Sequence, residues 1–403
     1  MPARIDGPAC RTPARRPAVE VAEIFAVHGS AYAAEHPMTA QQRRVMRDIV
    51  QCRTAALGGH VDICLACGEE TPSYNSCRNR HCPKCQSLAQ ARWIAARKNR
   101  ILPVPHFHVV FTLPRALRQL AHRNRSTIFE LLFHAAASTL LSFGDDRRWL
   151  GARVGITAVL HTWTRDLRFH PHLHCIVTAG GLAHGGERWV APPRPGFLFP
   201  VRALGEVFRT RFLDGLQAAY DKGVLHFQGS CAALADPARF RKLLERSYRR
   251  RWHVYAKRPF GGAGHVMEYL GRYTHRVGIS NHRLVHHDER GVRFLTRDGA
   301  TTTVAPDEFI RRFLMHVLPP GFVKIRHYGL LAPGNVNTQL ATAAALLHDG
   351  NPSVPPPPPA SPPAVITSEA LLCALTGIDL RRCPRCRSLA RIRRPLQPAR
   401  APP

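Results

Sequence analysis

Closely spaced cysteines constrain this chain more than any other feature. Cys64 and Cys67 form one pair with a two-residue gap, and Cys82 and Cys85 form another. Each such pair folds into a tight turn that presents two thiolates, and two pairs complete a tetrahedron around one zinc ion. We therefore predict one structural zinc bound by these four cysteines. The neighbouring residues that could substitute for a ligand, or serve a second ion, are His60, Cys77 and His81.

A third pair, Cys383 and Cys386, lies near the end of the chain. One pair is only half of a tetrahedral site, and Cys373 is the one additional thiol near it in the sequence. Whether this pair binds zinc stays open at this point. The alternative for all of these cysteines is simple burial in a core.

The charge predicts a polyanionic partner. The 403 residues carry 57 Lys and Arg against 27 Asp and Glu, a formal net charge of +30. An excess of this size is typical of proteins that bind nucleic acid. A GC-rich genome could explain the preference for Arg over Lys, but not the scarcity of acids. With no apolar run of membrane length and no secretion leader, we expect a cytoplasmic protein with no membrane partner.

Composition divides the chain into five parts. The ends are polar and the middle has the periodic apolar patterns of a folded domain. The predicted parts are a disordered tail (1–18), a helical and zinc-binding module (19–100), a main domain (101–346), a Pro-rich linker (347–366) and a basic tail with the last cysteine pair (367–403).

Short strands alternate irregularly with helices, which favours an α+β fold. In the N-terminal module we predict helices at Val19–Ala34, from Thr39 onwards with a capping box to Gln42, and at Leu88–Arg100. In the main domain the predicted strands are Phe107–Leu113, Val154–Trp163, His172–Ala179 and Val292–Leu295, and the predicted helices are Ala116–Phe143, most of 201–255, His265–His275 and Glu308–Val317.

Two histidines in a predicted strand are candidate metal ligands. His172 and His174 are two residues apart, so their side chains share one face of the strand. His170 is a weaker candidate because Pro171 places it at the start of the strand. The same spacing recurs at His106 and His108, which we interpret as ordinary histidines at the edge of a strand.

A tyrosine pair is the candidate nucleophile. Tyr269 and Tyr273 are four residues apart on a predicted helix, so both phenols lie on one helical face. A phenol oxygen can attack phosphorus when a metal ion withdraws charge from the phosphoryl oxygens. The alternative is an aromatic stripe that packs on the core.

In this order along the chain, these motifs resemble the HUH endonuclease superfamily, named for two histidines around a hydrophobic residue. Three longer segments look like the two-tyrosine rolling-circle transposases of the insertion sequence 91 group: Cys77-Arg-Asn-Arg-His-Cys-Pro-Lys-Cys85, Tyr269-Leu-Gly-Arg-Tyr-Thr-His-Arg-Val277 and Phe322-Val-Lys-Ile-Arg-His-Tyr-Gly-Leu330. The resemblance covers about residues 35–345. It implies an HUH-like antiparallel sheet flanked by helices and a zinc domain that helps to recognise the element's end.

The resemblance also implies a mechanism. Tyr273 or Tyr269 would attack single-stranded DNA to give a 5′-phosphotyrosine, and the second tyrosine would resolve the replicated strand. His172 and His174 would hold Mg²⁺ or Mn²⁺. The resemblance does not supply the third ligand, for which we take His161 because it lies on the preceding predicted strand. The substrates would be single-stranded DNA at element ends and target DNA, not small molecules. The expected DNA contacts are Arg78, Arg80, Lys84, Arg272, Arg276 and Arg326.

Two other functions share part of this pattern. A non-enzymatic zinc-finger regulator of nucleic acid needs the cysteines and the charge, but has no use for the histidine and tyrosine pairs. A rolling-circle replication initiator uses the same chemistry in another biological role, and only the resemblance separates it from a transposase.

Overall fold

The computed structural model describes residues 17–97, 100–260, 278–349, 371–373 and 377–399. The chain forms two compact units. Unit 1 consists of residues 1–95, 275–311 and 363–403, and unit 2 of residues 96–274 and 312–362. The predicted main domain, 101–346, is therefore interrupted by a segment that belongs to unit 1.

Unit 1 begins with two packed helices, α1 (Val21–Glu35) and α2 (Ala40–Gln51). The predicted capping box is confirmed: Thr39 Oγ1 accepts from the backbone N–H of Gln42, and the Gln42 side chain accepts from the N–H of Thr39. This exchange satisfies donors that the first turn of a helix leaves without partners. The side chain of Asn281 in turn accepts from the N–H of Val21, which attaches the 275–311 segment to α1.

Two three-stranded antiparallel sheets complete unit 1. One has the order β10 (Thr301–Val304), β9 (Val292–Leu295), β8 (Leu284–His287). The other has the order β12 (Arg391–Leu396), β1 (Gly59–Cys64), β2 (Glu70–Tyr74). The prediction of a separate basic tail at 367–403 is thus wrong, because β12 pairs with β1 over six residues from Gly59–Leu396 to Cys64–Arg391.

Unit 2 is built on one antiparallel sheet. Its order is β11-β4-β5-β3-β7, with the two-residue β6 added to β5. The strand bounds are β3 (His106–Thr112), β4 (Ala152–Trp163), β5 (Phe169–Ala183), β6 (Trp189–Val190), β7 (Val254–Phe260) and β11 (Ile325–Gly329). The main helices are α4 (Arg118–Arg123), α5 (Arg125–Asp145), α6 (Val201–Asp221), α7 (Pro237–Arg249) and α9 (Gln339–Asp349). Helices α3 (Gln86–Arg97) and α8 (Pro306–Leu314) span the points at which the units divide.

Alternation along the strands gives the sheet of unit 2 two different faces. Phe111, Leu173 and Leu160 are fully or almost fully buried and belong to the core that α5 and α6 share with the sheet. Their neighbours in the chain, among them His172, His174 and His161, therefore lie on the opposite face. Helix α5 is apolar and long enough to cross a membrane by composition alone, but most of it is buried in this core.

The prediction of an α+β fold, with helices flanking an antiparallel sheet, is confirmed. The predicted helix Ala116–Phe143 is interrupted at Asn124, whose amide donates to the carbonyls of Leu120 and His226. The predicted helical stretch 201–255 extends too far, because residues 254 and 255 belong to strand β7 (Val254–Phe260) at the end of the sheet order. The predicted helix His265–His275 lies outside the described residues.

Candidate active site and metal centres

Three histidines of unit 2 converge on the face of the sheet opposite the core formed with α5 and α6. The register of β4 and β5 places His161 directly opposite His172, and His174 follows two residues later on the same face. One ligand nitrogen from each ring lies within 4.8 Å of the others. The imidazole centroids of His161 and His174 are 4.4 Å apart, and those of His172 and His174 are 4.8 Å apart. The hairpin thus gathers three donors from neighbouring positions into one potential cation site.

The end of this hairpin is fixed by a buried histidine. Leu167 adopts the left-handed conformation in the turn between β4 and β5. His316 bonds to the Leu167 carbonyl oxygen through Nε2 at 3.0 Å and to the hydroxyl of Thr162 through Nδ1 at 3.1 Å. Because a carbonyl only accepts, Nε2 carries the proton and Nδ1 accepts from the hydroxyl. His316 therefore joins strand β4 to the turn of the hairpin that carries the three histidines.

Hydrogen bonds orient two of the candidate ligands. The Nδ1–H of His172 donates to the His170 carbonyl oxygen at 2.7 Å, so the lone pair of this ring lies on Nε2. His174 Nδ1 shares a hydrogen bond with His108 Nε2 at 2.8 Å, and the two rings are stacked. Such partners fix the tautomer and orientation of metal-binding imidazoles.

His108 is the residue that the sequence analysis missed. It was interpreted with His106 as lying at a strand edge, but β3 is an interior strand between β5 and β7. Its spacing from His106 was the available signal, and it could not be distinguished from chance among 23 histidines. His106 itself is buried, and its Nδ1 bonds to the Val104 carbonyl oxygen at 2.8 Å.

Burial keeps these imidazoles neutral. Burial lowers the pKa of His172 to about 4. The positive charge of Arg118 also lowers this pKa, and the hydrogen bond to His170 opposes the shift. Burial and the charge of Lys257 likewise lower the pKa of His108 to about 4. The pKa of His174 also lies well below its usual range, chiefly because of burial. Only a neutral imidazole has the lone pair that a metal ion requires.

The predicted nucleophiles belong to the segment between the described ranges 100–260 and 278–349. Tyr269 and Tyr273, together with the predicted DNA contacts Arg272 and Arg276, lie outside the described residues. Of the predicted catalytic constellation, the structure therefore places the histidines alone.

The cysteines of unit 1 form two groups of four rather than the one predicted. The first consists of Cys52, Cys77, Cys82 and Cys85, whose sulfurs lie within 4.8 Å of one another. Cys52 and Cys85 are 3.3 Å apart, and Cys77 and Cys85 are 3.6 Å apart. Hydrogen bonds from Cys77 and Cys82 lower the pKa of Cys52, and the same contacts with Cys52 raise the pKa of Cys77 and of Cys82.

The second group joins Cys64 and Cys67 to Cys383 and Cys386, again within 4.8 Å. The predicted set of Cys64, Cys67, Cys82 and Cys85 is therefore wrong as a single site, because each pair meets other cysteines. Of the residues named as substitutes, Cys77 is in the first group. His81 instead bonds to the Asn79 side chain at 3.0 Å, and His60 lies 3.7 Å from an oxygen of Asp62.

Internal ion pairs engage two of the predicted DNA contacts. Lys84 lies 2.9 Å from a carboxylate oxygen of Glu20. Arg326 forms a two-pronged pair with Glu130 at 2.5 Å and stacks 4.3 Å from the centre of the Phe133 ring. Arg326 therefore acts in the packing of unit 2.

The other predicted cations of unit 1 remain closer to solvent. Arg78 is exposed and adopts a left-handed backbone conformation. Arg80 is half-buried, and desolvation lowers its pKa. They lie one and three residues after Cys77, so both guanidinium groups are close in the chain to the first cysteine group.

Comparison with known proteins agrees with these motifs. Residues 155–339 match the family described as "Putative transposase", and residues 24–113 match the family described as "Transposase zinc-binding domain". The chain is 47% identical over 374 residues to the "Putative transposase y4qJ" of Sinorhizobium fredii (strain NBRC 101917 / NGR234), which covers 91% of this chain and 92% of that protein.

A second relative is the "Transposase for insertion sequence element IS801" of Pseudomonas savastanoi pv. phaseolicola, 31% identical over 292 residues, covering 70% of this chain and 68% of that protein. No solved structure matches the chain. The zinc-binding domain and the cysteine groups together support structural zinc in unit 1. The chain belongs to the insertion sequence 91 family of transposases, DNA-processing enzymes with an N-terminal zinc-binding domain.

Proposed function

We propose that this transposase nicks and rejoins single-stranded DNA at the ends of its insertion element through a 5′-phosphotyrosine, as in rolling-circle transposition. The observation that carries the proposal is the convergence of His161, His172 and His174 within 4.8 Å on one face of the sheet. A zinc-finger regulator of nucleic acid would have no use for this arrangement.

The donor set fits a divalent cation. Burial favours the neutral form of His172 and His174, and the partners His170 and His108 hold their rings in place. Imidazole suits Mn²⁺ better than Mg²⁺ because Mg²⁺ prefers oxygen ligands. When bound, the cation would withdraw charge from the phosphoryl oxygens of the strand to be cut.

The remaining chemistry falls to the tyrosines, whose role rests on the sequence pattern and on the family. The phenol oxygen of Tyr273 or Tyr269 attacks phosphorus, and the bond from phosphorus to the 3′ oxygen breaks. The leaving oxygen takes up a proton equivalent to the one that the phenol loses, so the products are a 5′-phosphotyrosine and a 3′-hydroxyl. Rejoining is the reverse step, in which a 3′-hydroxyl attacks the phosphotyrosine and releases the phenol.

An exposed aromatic ring on the histidine face of the sheet also offers a surface for unpaired bases. Tyr255 on β7 is 61% exposed and pairs in register with Val110, which pairs on its other side with His174. Residues opposite one another share a face, so the Tyr255 ring lies on the histidine face of the sheet. Exposed aromatics stack on bases of single strands irrespective of sequence. This position supports a single-stranded substrate.

Unit 1 would recognise the element's end and keep the enzyme on DNA. The first cysteine group would hold a structural zinc, and Arg78 and Arg80 beside it would contact phosphates. With a net charge of +30, binding should weaken steeply as salt is added. We accordingly place the protein in the cytoplasm, on the nucleoid, with target DNA as its second partner.

Covalent capture of DNA tests the proposal. Purified protein with Mn²⁺ should cut a labelled single strand that contains the element's end and should become attached to its 5′ phosphate. Changing both Tyr269 and Tyr273 to Phe should abolish the adduct but preserve binding, and His172→Ala with His174→Ala should do the same. The matched control is His134→Ala, at an exposed position on α5. Cleavage that persists in the tyrosine or histidine variants would refute the proposal.

A further inference from the structure

In the second cysteine group, Cys64 and Cys67 lie in a turn that has the backbone hydrogen bonds of a metal-binding turn. The carbonyl oxygen of Cys64 accepts from the N–H of Gly68 at 2.9 Å, and the N–H of Cys64 donates to the carbonyl of Glu69 at 2.9 Å. Gly68, directly after Cys67, is in the left-handed conformation with φ of 72°. These bonds fold the turn so that both sulfurs leave it on the same side.

The pair near the end of the chain repeats this geometry bond for bond. The carbonyl of Cys383 accepts from the N–H of Arg387 at 3.0 Å, and the N–H of Cys383 donates to the carbonyl of Ser388 at 2.9 Å. Arg387, directly after Cys386, has φ of 63°. A left-handed conformation is unusual for a residue with a side chain. Its presence at the position equivalent to Gly68 shows that the two turns share one backbone conformation.

The two turns face each other across four sulfurs. Cys64 and Cys386 are 3.5 Å apart, and Cys67 and Cys383 are 3.7 Å apart. A tetrahedron with zinc–sulfur distances of about 2.3 Å has edges of about 3.8 Å. The observed separations are close to this value, and they are far above the ~2.05 Å of a disulfide. All four residues are free cysteines.

Strand pairing brings the turns together. The turn at Cys64 follows β1, the turn at Cys383 precedes β12, and these strands are antiparallel neighbours. Asp62 on β1 pairs with Arg393 at 2.8 Å and lies 3.6 Å from Arg391. The meeting of the turns thus has support besides the sulfurs.

We propose that Cys64, Cys67, Cys383 and Cys386 bind a second structural zinc ion, which fastens residues 377–399 to the N-terminal zinc-binding domain. The matched domain covers residues 24–113 and contains the first group whole, but only half of the second. The DNA-recognition unit is therefore completed by residues more than 300 positions away from β1 in sequence. This inference does not depend on the nuclease chemistry proposed above.

Counting thiolate-bound zinc tests the proposal. Full-length protein, purified from medium containing zinc, should release two zinc ions per chain when treated with a mercurial thiol reagent. The double variant Cys383→Ser, Cys386→Ser should release one, and Cys77→Ser with Cys85→Ser should also release one. The matched control Cys373→Ser, a half-buried thiol outside both groups, should release two.

Hydrogen exchange reports on the fastening itself. In the double variant at Cys383 and Cys386, the amides of β12 should exchange faster than in wild type, and those of α2 should not change. Wild-type protein that releases only one zinc, or a double variant that still releases two, would overturn the proposal. A chain mass below that of the fully reduced protein, measured under non-reducing, denaturing conditions, would also overturn the proposal. Such a mass would show a disulfide at these cysteines.

If the double variant fails to fold, cobalt substitution of the wild-type chain tests whether a second four-cysteine site is present. Two equivalents of Co²⁺ should each bring the strong thiolate charge-transfer absorption of a four-cysteine site. A second equivalent without that absorption would contradict the assignment.

Discussion

His316 should make unit 2 sensitive to acid. It is fully buried, and its two ring nitrogens are engaged by the Leu167 carbonyl and the Thr162 hydroxyl. Burial lowers the pKa of His316 to about 3. The charges of Arg125 and His122 also lower this pKa, and the hydrogen bond to Leu167 opposes the shift. Protonation of Nδ1 would place an imidazolium in this fully buried position, so the folded state resists taking up the proton.

The sign follows from proton uptake in the two states. Between pH 6.5 and about 3 the unfolded chain binds a proton at this residue and the folded chain does not, so the free energy of unfolding falls as the pH falls. The effect is absent above pH 6.5. At pH 5, which is about 1.5 units below the unfolded value, the loss amounts to about 2 kcal/mol.

Urea unfolding of wild type and His316→Gln at pH 7 and pH 5 measures this difference. Gln keeps a donor and an acceptor but does not titrate, so the variant should lose about 2 kcal/mol less than wild type between the two pH values. Tryptophan fluorescence is a suitable signal because Trp149, Trp163, Trp189 and Trp252 all lie in unit 2. Exposed His134→Gln is the control and should keep the wild-type pH dependence. Equal losses in wild type and His316→Gln would refute the reasoning.

Three further substitutions test the packing. Phe111→Ala removes a fully buried ring whose centre lies 4.9 Å from that of Phe208. Thermal unfolding of unit 2 should show a loss of about 3–5 kcal/mol in stability. The control is Phe197→Ala, which should cost much less because the Phe197 side chain is 39% exposed. Gly329→Ala should lower the free energy of unfolding by well over 1 kcal/mol, because the residue has φ of 60° and an added Cβ would overlap the Val154 carbonyl oxygen. The control is Gly334→Ala, where the added Cβ meets open space. Equal effects of the two substitutions would contradict the structure. Thr39→Ala should cost about 1 kcal/mol in denaturant titration through loss of the α2 cap, and a neutral result would show that the cap contributes nothing.

Local patterns in the sequence predicted the part of the site that local structure determines. Alternation along one strand places His172 and His174 on a common face, and the antiparallel hairpin then places His161 opposite His172. His108 could not be identified in this way, because its contact with His174 depends on the register between β3 and β5. Register is set by pairing across the sheet, which a strand's own sequence does not specify.

The cysteines show the same limit more sharply. The spacing of Cys64 and Cys67 predicts a metal-binding turn, but not which second turn completes the site. Here that turn lies 316 residues away, and β12 brings it to β1. Cys52 has no pairing pattern at all, and only the end of α2 brings it to Cys85. Nearness in sequence therefore favoured the wrong partners.

Strand β7 was missed because Lys257, Arg258 and Pro259 interrupt its apolar pattern. An edge strand tolerates such residues, since one of its sides makes no ladder hydrogen bonds.

In the proposed function, three imidazoles hold one divalent cation on the face of the sheet opposite the core of unit 2. Pulsed electron paramagnetic resonance of Mn²⁺ added to zinc-loaded protein tests this most directly, because the electron spin couples to nitrogens that bind the metal. Wild type should show strong imidazole nitrogen modulation, which His172→Ala with His174→Ala should abolish and His134→Ala should leave intact. Manganese bound without nitrogen coupling in wild type, or with the same coupling in the double variant, would contradict the account.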